Sequence, residues 1–322
     1  MNIRQTLRLL SFLSFLIFLP VDTTFVRAQA ASGQIKHAPG DFVTVNGTKL
    51  WYESEGRGEP LLMIAGGPGS SHHFEPYFSS LSDSFRIIYF DAFGRGKSER
   101  AKSPNEYTFA RDVEDVEGLR KALGLGKINL LGHSYGGIVA QAYALKYPDA
   151  VKRLILVTTL FNAEMWQANN DSCNYELRNQ YPEVWEKVEN LRAQGFRSSS
   201  KEHQQAYQLP PGLLYFYNAS NADKIQSDFN PDVYYAIAGD DADFLIGGDI
   251  VRLDFRTQLK NLKMPTLIIA GRYDRVAQPR FAIQFKRYAP QAQFVMFEKS
   301  GHWPYVEEND KMMRLLREFL DK

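Results

Sequence analysis

The sequence predicts an α/β fold: a mostly parallel eight-stranded sheet with helices on both faces, and a helical cap inserted before the strand that leads to Asp274. Three observations predict it. Short apolar runs alternate with segments of helical spacing, the rhythm of strands joined by crossover helices. That rhythm breaks once, from Phe161 to about Gly248, where the chain is rich in aromatic and polar residues and has helix-like pieces but no clear strand. Finally, Ile128 to Ala142 reads as strand, sharp turn and helix around Gly132-His133-Ser134-Tyr135-Gly136. Small residues two before and two after a serine let the chain reverse tightly and push the hydroxyl out above a sheet edge, so Ser134 is a candidate nucleophile.

In order along the chain, Asp41 to Glu53 alternates apolar and polar positions around Asn46-Gly47, which predicts two antiparallel strands joined by a tight hairpin turn. Pro60 to Ile64 reads as a buried strand running into Ala65-Gly66-Gly67-Pro68-Gly69-Ser70-Ser71, a glycine loop that exposes backbone N–H groups. Beside Ser134, such a loop supplies one of two donors to a tetrahedral oxyanion, with Gly67 the expected donor and the N–H of Tyr135 the other. The alternative for this loop is an ordinary strand-to-helix turn. Phe85 to Asp91 is a further strand, followed by Gly94-Arg95-Gly96-Lys97-Ser98. A phosphate loop would need glycine five residues before Gly96, where Asp91 stands, so that reading fails. Thr108 to Leu123 has apolar residues at helical spacing and implies only a packed face. Pro148 ends the helix after Ser134, and Val151 to Val157 is a strand. After the insertion, Met264 to Ala270, a helix from about Phe281 to Tyr288, a strand Gln293 to Phe297 and a last helix of about Asn309 to Leu320 restore the rhythm.

The resulting organisation is a leader (1–30), a linker (31–40), core (41–160), cap (161–248) and core again (249–322). In the leader, Arg4 and Arg8 precede an apolar run from Leu9 to Leu19, and Ala28-Gln29-Ala30 offers the small residues a signal peptidase reads. An exported protein is expected, periplasmic or secreted. The alternative is an uncleaved anchor, but the run is well short of the ~20 apolar residues of a spanning helix, and no stable membrane insertion is expected after cleavage.

Composition, at 44% hydrophobic and 23% charged, is that of a soluble globular protein. Removing Arg4, Arg8, Arg27 and Asp22 takes the net charge from +1 to −1 (1 − 3 + 1), so no nucleic-acid partner is implied. Cys173 is the only cysteine, which excludes an intramolecular disulfide. With one cysteine and no His-x-x-x-His or Cys-x-x-Cys spacing, no zinc site is expected, and no cofactor is required.

A serine hydroxyl needs a base to take its proton, and the base needs an acid to fix its tautomer. Of six histidines, only His302 sits in a loop just after a sheet strand in the last segment, downstream of an acid, Asp274, placed the same way. His133 lies inside the turn and points away from the hydroxyl. The order Ser134, Asp274, His302 is that of an α/β-hydrolase sheet. Separately, Asp274 could cap a turn and His302 could be a surface histidine; the three together make a triad.

From about Asp41 onward the chain resembles the proline iminopeptidase group of α/β-hydrolases. The resemblance rests on Gly66-Gly67-Pro68-Gly69, Gly132 to Gly137, Asn230-Pro231-Asp232-Val233-Tyr234 and Gly271-Arg272-Tyr273-Asp274. It implies a serine hydrolase working through an acyl-enzyme, releasing an N-terminal residue, often proline, from short peptides. Such an enzyme holds the free α-ammonium with carboxylates, and Asp243 matches the cap position where the group usually has Glu. The second acid position holds Arg275, which would favour an anionic group on the substrate, and Ala65 replaces the histidine that commonly opens the glycine loop. Arg275 therefore keeps a carboxylesterase or lactonase as the alternative, acting on small acyl substrates. A binding protein on a hydrolase scaffold is the third reading. Fluorophosphonate labelling of Ser134 separates it from the other two.

Overall fold

The computed structural model describes residues 37–207 and 214–322; the expected leader and most of the linker lie outside the described residues. Eight strands form one sheet in the order β1-β2-β4-β3-β5-β6-β7-β8. These are β1 (Gly40–Val45), β2 (Thr48–Glu55), β3 (Glu59–Ile64), β4 (Phe85–Phe90), β5 (Ile128–His133), β6 (Val151–Val157), β7 (Thr266–Gly271) and β8 (Gln293–Phe297). The first two strands pair antiparallel, and β2 joins β4 antiparallel; every later pairing is parallel. Asn46 at φ 50° and Gly47 at φ 83° make the hairpin turn between β1 and β2, both in the left-handed region such a turn requires.

Period-two alternation in the strands divides the interior into two cores. Leu62, Ile64, Ile88, Leu130, Leu154 and Leu156 face one side, where α1 (Phe109–Ala122) and α2 (Tyr135–Lys146) pack with Val116, Leu119, Ile138 and Tyr143. Leu61, Met63, Ile87, Leu131, Ile155 and Ile269 face the other, against Met312, Leu316 and Phe319 of the C-terminal helix Asn309–Leu320. All six residues of β5 are buried, the polar Asn129 and His133 included, as expected of a central strand covered on both faces.

The insertion after β6 carries helices α3 (Ala163–Gln180), α4 (Pro182–Ala193), α5 (Lys201–Ala206) and α6 (Pro231–Ala238). It reaches back to the glycine loop. Ser71 N–H donates to Asp228 O at 2.8 Å, Asn230 N–H donates to Gly69 O at 2.8 Å, and Asn230 Nδ2 donates to Gly94 O at 2.8 Å. The start of α6 is thereby joined to two loops at the carboxyl edge of the sheet, where the cap closes a cavity. The expected helix near Phe281 is two short pieces, Pro279–Ala282 and Phe285–Tyr288. No helix among the described residues is long and apolar enough to cross a membrane.

Candidate active site

One residue separates the end of β5 from the start of α2, and it is Ser134, at φ 53° and ψ −121°. A left-handed backbone at a residue with a side chain costs on the order of 1–3 kcal/mol and persists only where its surroundings impose it. Here they do. A Cβ on Gly132 would stand 2.3 Å from Gly136 O, and one on Gly136 would stand 2.2 Å from Ile64 O, so both flanking positions exclude any side chain. Ser134 N–H donates to Val157 O at 2.9 Å, and Thr159 Oγ1 donates to Ser134 O at 2.6 Å. The half-buried serine is thus held at the head of a helix, whose first N–H groups have no intrahelical partner.

Asp274 and His302 are both buried, at 2% and 3% exposure. His302 Nδ1 lies 2.9 Å from Asp274 Oδ2, while Asp274 Oδ1 accepts N–H bonds from Val276 at 2.8 Å and Ala277 at 2.7 Å. An acid anchored in this way fixes a donor on Nδ1 and leaves the Nε2 lone pair of His302 free. The His302 backbone is pinned at both ends: its N–H donates to Tyr215 O at 2.7 Å, and its carbonyl accepts from Thr158 Oγ1 at 2.8 Å and faces His133 Nε2 at 2.9 Å. Burial holds His73 at about 4, and burial together with the His302 charge drives His133 well below the ordinary imidazole range. Both are therefore neutral near pH 7 and weak bases.

Ser134, His302, Gly67, Tyr135 and Asp243 line one cavity of about 670 Å³. Its walls are aromatic, with Trp166, Tyr215, Tyr234, Tyr235 and Trp303 among them. The glycine loop presses on the serine: a Cβ on Gly66 would stand 2.8 Å from Ser134 Cβ. Gly67, at φ 65°, adopts a conformation that favours glycine.

Asp243 reaches the cavity from the cap. Burial, reinforced by the Asp241 charge, raises its carboxyl to about 6, against the opposing influence of the Ser198, Tyr234 and Tyr235 hydroxyls. Among the described residues its closest basic neighbour is His203 Nδ1, 3.9 Å away, and burial pushes that imidazole toward its neutral form. A carboxylate with no cation partner thus faces an aromatic cavity. Arg275 is placed elsewhere. Its guanidinium pairs with Glu176 at 3.3 Å in an adjacent outer groove and does not line the cavity.

A buried network not expected from the sequence holds the two oxyanion-donor candidates together. Arg95 makes two bonds to Asp112, at 2.6 and 2.7 Å, and also donates to Pro68 O at 2.5 Å. The Tyr135 hydroxyl donates to Asp112 Oδ2 at 2.6 Å. The available signal was weak: an aspartate beside Val113 on the packed face of α1, and an arginine between two glycines. Nothing in the spacing joins them, because they stand 17 positions apart with a loop between.

Residues 59–309 match the family described as alpha/beta hydrolase fold. The chain is 31% identical over 279 residues to a proline iminopeptidase of Clostridium botulinum, covering 84% of this chain and 92% of that one. It is 28% identical over 288 residues to one from Heyndrickxia coagulans, covering 87% and 98%. Among solved structures, the proline iminopeptidase of Mycobacterium smegmatis superposes with a TM-score of 0.69 at 20% identity, over 88% of this chain and 98% of that one. An esterase from Exiguobacterium antarcticum superposes with 0.63 at 22% identity, over 88% and 100%. This chain is a hydrolase and belongs to the alpha/beta hydrolase fold family.

Proposed function

We propose that the protein is an exported serine hydrolase that releases an N-terminal residue from short peptides through an acyl-enzyme on Ser134. The observation that carries the peptide reading is Asp243, a carboxylate that among the described residues has no cation partner, in the same aromatic cavity as Ser134 and His302. A free α-ammonium is the complement of such a group, and surrounding aromatic faces favour a cation further. Export rests on the leader, with Arg4 and Arg8 before the Leu9–Leu19 run.

In this mechanism His302 Nε2 removes the Ser134 proton as the hydroxyl oxygen attacks the acyl carbon. Asp274 keeps the imidazole in the required tautomer and stabilises the imidazolium. The N–H groups of Tyr135 and Gly67 stabilise the oxyanion, a contribution of about 3–4 kcal/mol per donor in comparable sites. His302 then protonates the departing amine, and water, activated by the same imidazole, releases the N-terminal residue.

The ester or lactone reading drew on Arg275, whose charge is engaged by Glu176 outside the cavity. A panel of prolyl and alanyl p-nitroanilides, p-nitrophenyl esters and lactones tests the assignment. Turnover of the anilides, lost on blocking their α-amine, is expected. Turnover of esters or lactones alone, undiminished in Asp243→Asn, would sink it.

A further inference from the structure

Outside the cavity that Ser134 lines, four side chains from three separate segments converge. His37 precedes β1, Glu53 lies in β2, and His72 and Glu75 follow the glycine loop; one ligand atom from each lies within 4.8 Å of every other. Glu53, His72 and Glu75 are 0%, 7% and 3% exposed.

The ordinary explanation is a set of hydrogen bonds, and it leaves two atoms outside it. His72 Nε2 and Glu75 Oε1 are both buried and make no hydrogen bond, although they stand 3.3 Å apart in the cluster. The distances match a different object. His37 Nδ1 lies 3.1 Å from Glu53 Oε2 and 3.9 Å from Glu75 Oε1, and His72 Nε2 lies 3.5 and 3.3 Å from the same two oxygens. A tetrahedral zinc ion with bonds of about 2.0–2.1 Å has edges of about 3.3 Å between its ligand atoms.

The surroundings are arranged to match. His72 Nδ1 lies 2.7 Å from Asp91 Oδ1, so a proton on Nδ1 donates to Asp91 and leaves the Nε2 lone pair toward the cluster, the carboxylate–histidine arrangement that orients zinc ligands. Asp91 is itself fixed by N–H bonds from His72 at 2.9 Å and Lys97 at 2.8 Å. Trp51 Nε1 donates to Glu53 Oε1 at 2.9 Å and Lys97 Nζ at 3.4 Å, leaving Oε2 for the cluster. Charge points the same way. Glu53, Glu75 and Asp91 are buried together, and uncompensated buried carboxylates are strongly destabilising. A divalent cation balances Glu53 and Glu75, and the remaining negative charge, on Asp91, faces His72 Nδ1.

From these residues we propose a structural zinc-type site formed by His37 Nδ1, Glu53 Oε2, His72 Nε2 and Glu75 Oε1, which clamps the segment entering β1 to β2 and to the chain just beyond the glycine loop. It lies outside the catalytic cavity and takes no part in hydrolysis. A search by local spacing cannot find it, because Glu53 and His72 come from distant segments. The rival is a proton in place of the metal. Burial opposes a charge on His72, but Asp91, Glu53 and Glu75 override it and raise the imidazole to about 12.

The test uses the purified full chain. After dialysis against EDTA and then against Zn²⁺, about one zinc per chain is expected by elemental analysis. Zinc at 100 times its dissociation constant is expected to raise Tm by about 5–10 °C. Co²⁺ in its place is expected to give the intense visible absorption of four-coordinate cobalt. His37→Ala, at an exposed position that leaves the core untouched, is expected to weaken zinc binding by at least about tenfold, as loss of even an outer partner does. Glu75→Gln is expected to weaken it further. Fewer than about 0.1 zinc per chain, or a zinc stoichiometry and Tm response unchanged in both variants, overturns the site and leaves His72 as a buried imidazolium. None of these readouts depends on turnover, so failure here leaves the proposed hydrolysis untouched.

Discussion

Arg95 and Asp112 form a buried two-bond ion pair, at 2.6 and 2.7 Å, that ties the Pro68 carbonyl of the glycine loop to the Tyr135 hydroxyl at the head of α2. The pair acts at a distance from the chemistry by holding both oxyanion-donor candidates at one spacing. Removing one partner of a buried pair costs about 3–5 kcal/mol because the other charge stays buried. Asp112→Asn is expected to lower stability by about that amount in urea titration and to lower kcat more than it raises KM. Tyr135→Phe keeps the backbone donor and loses only the hydroxyl bond, at about 1–3 kcal/mol. Equal kcat in wild type and Asp112→Asn would show that the network serves folding alone.

Ser134→Ala keeps the Cβ, and hence the backbone the elbow imposes, while deleting the nucleophile. Fluorophosphonate labelling is expected to vanish, and turnover to fall by roughly 10⁴–10⁶-fold with Tm unchanged or raised. Gly136→Ala is expected to behave in the opposite way, because its Cβ would meet Ile64 O at 2.2 Å. That variant loses stability before it loses any chemical group, which thermal melts of the two variants side by side would reveal.

Asp274→Asn retains the Val276 and Ala277 contacts at Oδ1 but can no longer enforce the Nδ1–H tautomer of His302. A fall in kcat of about 10⁴-fold is expected, with KM nearly constant. Steady-state kinetics on an anilide substrate checks it; a loss confined to KM would place Asp274 outside the chemistry.

Asp243 carries a prediction in pH. Its carboxyl is raised to about 6, so it is protonated below that pH and ionised above it. An ammonium partner requires the ionised form; KM for free-amine substrates is therefore expected to rise as pH falls below about 6, while KM for an uncharged ester stays flat. For stability the sign is reversed. With a folded value above the unfolded one, the native state binds the extra proton between about 4 and 6, so this group's contribution falls as pH rises through that window. Asp243→Asn is thus expected to cost about tenfold or more in kcat/KM for amine substrates and to gain up to about 3 kcal/mol of stability above pH 6. Identical pH profiles for wild type and variant would remove Asp243 from amine recognition.

Much of the molecule was legible in the chain itself. The runs expected as strands at Pro60–Ile64, Val151–Val157 and Gln293–Phe297 became strands, Asn46-Gly47 became the hairpin turn, and the insertion from Phe161 became the helical cap. Most of these signals are local: strand and helix periodicity and the glycines around Ser134 are set by neighbours along the sequence, and the order of Ser134, Asp274 and His302 is readable because each follows one such local strand. What only the tertiary structure decided is where long side chains from separate segments meet. Arg275 stands beside Asp274 in sequence, yet its guanidinium turns out of the cavity to Glu176 on α3. Arg95 and Asp112, assigned no role from spacing, meet under the glycine loop, and His37, Glu53, His72 and Glu75 converge from three segments. The reason is physical. A side chain's environment depends on strand register and on how the cap folds back over the sheet, and in a packed interior these are settled by all the elements at once rather than by any one stretch of chain.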